Sequence, residues 1–140
     1  MLDLIRDAVA ANQAEAATYS QGVRIWMGVM SIAFLSSVIF APWKAGARWI
    51  LAATLVNILG LILIKAFFPA FSRTMIGTSV HLIFWTPVLW MIWRPSAATR
   101  RIADFQGHTG LIYRVWLLAA SAIMATSLVL DARTAIGWAL

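Results

Sequence analysis

The groups in this chain that can exchange protons are few, and their spacing limits what they can do. His81 lies inside an apolar run from 76 to 93, about 8 Å from the near end of that run at roughly 1.5 Å per residue. Gly77, one turn before it, leaves space beside the ring, and Thr78 and Trp85 share its helical face. An imidazole in that setting can shuttle a proton, ligate a haem or hydrogen-bond a quinone. The competing role is structural, as a core histidine bonded to a neighbouring helix. His108, the other histidine, sits in a loop at the opposite membrane face, because the third run advances roughly 18 Å between positions 81 and 93 alone. A bis-histidine haem would need His81 from two subunits. The sequence therefore implies no cofactor and no metal.

Asp131, Lys65 and Arg24 fall at the same end of their runs as His81, and the four define a candidate polar cluster at one mouth of a helix bundle. A lysine this close to a helix end has an alternative, which is to snorkel its ammonium to the headgroups. All five acids, Asp3, Asp7, Glu15, Asp104 and Asp131, lie outside the apolar runs. An intramembrane carboxylate is the usual proton relay of small transporters. Its absence argues against a proton-coupled exchanger of the small multidrug type, whose first helix carries a glutamate. Asn57 is mid-run. Its amide is expected to bond a neighbouring helix, which is worth about 0.6–2 kcal/mol in a membrane, or else to line a pore. Trp85 is deeper than the other tryptophans, which read as an interfacial belt.

These residues are carried by four apolar runs, 23–41, 49–68, 76–93 and 111–130, each close to the ~20 residues that a bilayer-spanning helix needs. Hydrophobic residues make up 62% of the 140-residue chain and charged residues 11%, against about a half and a quarter in soluble domains. The runs lack the charged stripe of period 3.6 that a soluble bundle shows. The expected fold is all-α, a single membrane domain over 1–140 built as a four-helix bundle of four transmembrane helices. An N-terminal amphipathic helix over residues 2–18, with Leu2, Ile5, Val9 and Ala16 near one face, is expected to lie at the interface or dock on a partner. A short interfacial helix in the third loop, capped by Ser96 and ended by Gly107, places Ala98, Ile102 and Phe105 on one face and Arg100 and Arg101 on another. Pro87 frees the carbonyl of Ile83 and is expected to kink the third span.

Small residues mark where helices can approach closely: Ala33, Ser37 and Ala41 in the first run, and Gly60 beside Ala53 and Asn57 in the second. The absence of cysteine excludes disulfides, thiolate nucleophiles and iron–sulfur clusters. The net charge of +6 is read as Lys and Arg flanking spans beside anionic headgroups, with no nucleic-acid partner. Residues 1–20 have neither a basic n-region nor a continuous apolar h-region, so the first span is expected to act as the targeting signal. Lys44, Arg48, Arg94, Arg100, Arg101 and Arg114 lie on the side of the first and third loops, and Arg6, Arg24, Lys65, Arg73 and Arg133 on the side of the termini. That small bias places both termini outside the cytoplasm, in a bacterial inner membrane.

No catalytic constellation is visible, and an enzyme is not expected. The leading expectation is a small polytopic membrane protein that acts through assembly, as a homo-oligomer or an accessory subunit of a larger membrane complex. Ala33, Ser37, Gly60 and Asn57 would supply its contacts. The alternative is an oligomeric channel or carrier for a small solute or ion, with a polar site formed by His81, Lys65, Asp131, Asn57 and Trp85.

Overall fold

The structure, a computed structural model, describes residues 1–140 except for the surroundings of Ala139. It is all-helical, with no strand among the described residues. Four helices are long and apolar enough to cross a membrane. They are α2 (Gln21–Phe40), α3 (Ala45–Phe67), α4 (Arg73–Trp93) and the apolar stretch Gly107–Trp138 of α6 (Gly107–Ala139). Two shorter helices complete the chain, α1 (Leu2–Ala17) before the first span and α5 (Ala98–Asp104) in the third loop.

The ends of these helices follow from local chemistry. Ser20 accepts from the Val23 amide and Ser72 from the Met75 amide, at 3.4 and 3.1 Å, and these bonds cap α2 and α4. Pro42, Pro69 and Pro95 stand just past the ends of α2, α3 and α4; Phe68 and Arg94, each before a proline, leave helical geometry, whereas Ala41 keeps it. Ser96 does not cap α5. It lies in a 3-10 turn, Pro95–Ala97, and α5 begins with no side-chain cap. Gly107 does not close α5 either. It opens α6 with φ +73, a left-handed conformation that only a residue without Cβ adopts cheaply.

Two elements depart from the simple four-run picture. α6 does not stop at residue 130 but continues as helix through Asp131 to Ala139. Its length of about 50 Å exceeds the ~30 Å hydrocarbon thickness. Asp131 therefore sits on a helix wall rather than at the start of a tail. In α4 the irregularity near Pro87 takes the form of a π turn, His81–Trp85. Pro87 has no amide hydrogen and its ring crowds the carbonyl of Ile83, so the turn before it widens.

The core includes Phe34, Ile50, Trp85, Tyr113, Leu117 and Met124. The small residues expected to serve assembly are used inside the chain. The Trp116 indole donates to the Ala33 carbonyl and the Ser36 hydroxyl at 3.2 and 2.8 Å, which fixes α2 on α6. Ser37 is completely buried. A Cβ on Gly60 would stand 3.0 Å from Val80 Cγ2, so Gly60 is where α3 meets α4.

α1 docks on the bundle by the face that holds Ala8 and Asn12, both buried, with Ile5, Val9 and Ala16 of the expected apolar face partly buried beside them; only Leu2 of that face is exposed. Asn12 Nδ2 donates to the Leu61 carbonyl at 2.9 Å, and Glu15 reaches Lys65 and the Arg73 amide. Residues 5, 8, 9, 12, 15 and 16 recur at helical spacing, so one face of mixed apolar, small and polar residues makes the contact.

Candidate functional site

At the end of the bundle nearer the termini, α2, α3, α4 and α6 enclose a cavity of about 470 Å³. His81 and Asp131 form its polar wall. His81 follows the start of α4 by about 12 Å of helix, and Asp131 precedes the end of α6 by a similar length. The antiparallel pair thus brings them level. His81 Nδ1 lies 2.7 Å from Asp131 Oδ2, and the Thr78 hydroxyl donates to Asp131 Oδ1 at 2.9 Å. Thr78 stands one turn before His81 on α4, so a single helix face meets both carboxylate oxygens.

The π turn sets the other side of the imidazole. The Trp85 ring stacks on His81 with centroids 3.7 Å apart and planes 26° apart. Phe34 from α2 meets the same indole edge-on at 5.1 Å. These contacts hold the ring of His81 between an aromatic plane and a carboxylate, which fixes both its tilt and its tautomer. A carboxylate accepts, so Nδ1 carries the hydrogen, and in the neutral imidazole Nε2 keeps its lone pair. Nε2 has no hydrogen-bond partner and retains accessible surface on a residue of the cavity lining.

The remaining candidate residues separate into two groups. Asn57 lines the cavity, and its Oδ1 is buried without a partner. No interhelical bond to its amide forms. Lys65 does not join Asp131. It is buried beneath α1, where it pairs with Glu15 and donates to the Phe71 carbonyl at 2.8 Å. That arrangement also replaces snorkelling as the fate of its ammonium. The Lys65 ammonium and the Arg73 amide hold the Glu15 carboxyl below its ordinary value of 4.5. Arg24 is exposed on α2 and stands apart from the cavity lining. His108 is exposed at the start of α6, at the opposite end. Among the described residues no group of three metal-ligating side chains is assembled.

Several contributors were not singled out from the sequence. Thr78 was noted as sharing a face with His81, but not as the second donor to Asp131. Glu15 was not paired with Lys65, although Ala8, Asn12 and Glu15 share one stripe of α1 and carry the signal. Met27 and Met30 line the cavity from α2 and are indistinguishable in sequence from lipid-facing residues. No family model, curated protein or solved structure matches this chain.

Proposed function

We propose that the chain is an integral membrane protein that binds a small organic molecule in the cavity between α2, α3, α4 and α6. The observation that carries this reading is the Thr78–Asp131–His81 chain of hydrogen bonds, set in the wall of a space of about 470 Å³. Small-molecule sites commonly enclose roughly 300–1,000 Å³ with apolar walls and a few converging polar groups. The bilayer setting is supported by large apolar side chains left exposed along the spans, among them Ile32, Val38, Val115 and Val129. A water-facing surface does not carry such a band. Leu35 and Ile58 line the cavity and are themselves 49% and 41% exposed, so its rim faces the lipid and a solute enters from the membrane.

Of the oligomeric channel or carrier weighed from the sequence, this reading keeps the polar site near His81 and drops the oligomer and Lys65. Assembly loses its specific warrant, since Ala33, Ser37 and Gly60 already serve contacts within the chain. The extracytoplasmic placement of the termini and a bacterial inner membrane remain part of the proposal, supported by the loop-side excess of basic residues.

The test uses protein reconstituted in nanodiscs and 3-nitroanisole, a neutral aromatic that quenches tryptophan fluorescence. Trp26 and Trp85 line the cavity, so binding is expected to give saturable quenching above the linear background of lipid partition. Gly77 also lines the cavity, and a Cβ placed there meets nothing within 4 Å. Gly77→Leu should fill the space and remove the saturable part while leaving the protein folded. Purely linear quenching, identical in both proteins, overturns the reading.

A further inference from the structure

We propose that the ligand of this cavity is a neutral ring compound carrying a hydroxyl or N–H group, bound by donation to His81 Nε2. The inference rests on the cavity reading above and adds its chemical class. Its first support is the direction of the unmet hydrogen bonds. His81 Nδ1 is committed to Asp131, which in the neutral imidazole leaves Nε2 as an acceptor with accessible surface and no donor. Two further polar atoms of the lining are unpaired, the Asn57 amide oxygen and the Trp85 indole N–H, but both are sealed from the open space. What the open side of His81 lacks is therefore a donor.

Charge argues for neutrality. Each oxygen of Asp131 already accepts one hydrogen bond, from Thr78 and from His81. A cation would have to displace these donors, and an anion would face the carboxylate. Arg73 lines the cavity as well, and its guanidinium is directed to the Asn12 carbonyl, 3.4 Å away, under α1. A ring shape follows from the walls. The imidazole of His81, backed by Trp85 and Phe34, and the indole of Trp26 line the cavity, and a planar ligand gains offset stacking or edge contacts against such rings. Met27 and Met30 face it from α2 and adjust to its outline, because a thioether chain is unbranched and polarizable.

The experiment compares 3-nitrophenol with 3-nitroanisole, its methyl ether, at neutral pH, where the phenol is uncharged. The two differ by the presence of one donor. Affinities are measured by tryptophan quenching in nanodiscs and corrected for partition into empty nanodiscs. The wild-type protein is expected to prefer the phenol by about tenfold, the scale of one well-formed buried hydrogen bond. His81→Phe keeps a stacking ring on Trp85 and removes the acceptor. It should bring the ratio close to one while 3-nitroanisole still binds, which also reports that the variant is folded. His81→Leu gives the same readout if the phenylalanine disturbs the stack. A ratio near one in the wild type, or a tenfold preference that survives in either variant, overturns the donor proposal and leaves the cavity reading standing. Saturable binding of neither compound to the wild type defeats the cavity reading itself.

Discussion

The two ends of this bundle use the same kinds of residue for opposite purposes. At the loop end, Phe40, Tyr113 and Trp116 cluster with centroids 5.0–5.8 Å apart, Lys44 pairs with Asp104 at 3.3 Å, and a Cβ on Gly46 would stand 2.6 Å from the Tyr113 hydroxyl. At the other end, Trp26, Trp85 and Phe34 surround open space, and the charged residue Asp131 faces a histidine. The hydrogen bonds between α2 and α6 fall at Met30, Ala33 and Ser36. Toward its start, α2 instead contributes Val23 and Met27 to the cavity wall. One end is filled and carries stability. The other is left unfilled around a hydrogen-bonded imidazole.

The largest test of that contrast is truncation of one aromatic at the filled end. Tyr113 is 1% exposed, and Tyr113→Ala is expected to cost about 3–5 kcal/mol, the range for aromatic-to-alanine changes in packed cores. Met27→Ala, at the open end, removes a side chain that already borders a cavity and should cost less than about 1 kcal/mol. Thermal unfolding in a fixed detergent compares the two. Equal losses would mean that the cavity end is packed as tightly as the other.

Gly60→Leu is the next in size. Its Cβ would press on Val80 Cγ2 at 3.0 Å, and overpacking of this kind costs about 1–3 kcal/mol. Because Gly60 contacts α4 of its own chain, the variant should lose stability without any change in mass by native mass spectrometry. A dissociated oligomer with unchanged melting would restore the assembly reading.

Four apolar runs were legible because membrane spans announce themselves by length and composition, and the prolines after Ala41, Phe68 and Arg94 mark their ends. The level placement of His81 and Asp131 could be counted from helix ends alone. Other features are invisible to that kind of counting. The helicity of residues 131–139 follows no apolar run, so Asp131 looked like the first residue of a tail. The partner of Lys65 comes from α1, and nothing in the sequence names Lys65 as the group that Glu15 meets. Gly60 and Ser37 advertise close approach in sequence, but whether the approaching helix belongs to the same chain is a tertiary fact.

The smallest effect belongs to the strap that α1 makes across the open end. Lys65 is 8% exposed and Glu15 33%, so the pair is half-solvated and worth about 1 kcal/mol after screening. Glu15→Gln should cost roughly that at neutral pH, because it removes the charge opposite Lys65 and leaves one oxygen where two accept from the Lys65 ammonium and the Arg73 amide. The sign of the pH dependence follows from the lowered Glu15 value. A carboxyl with a depressed folded pKa stabilises the fold fully above its ordinary value of 4.5 and loses that contribution as pH falls through the folded value. The gap between wild type and Glu15→Gln should therefore be constant from neutrality to about 5 and shrink in more acid solution. Taking the difference cancels the Lys44–Asp104 pair, which is present in both proteins. Hydrogen exchange of the α1 amides, read across that range, localises the effect to the strap. A gap that persists unchanged at low pH would show that Glu15 acts through shape or neutral hydrogen bonding, and that α1 is held by Asn12 and Ala8 alone.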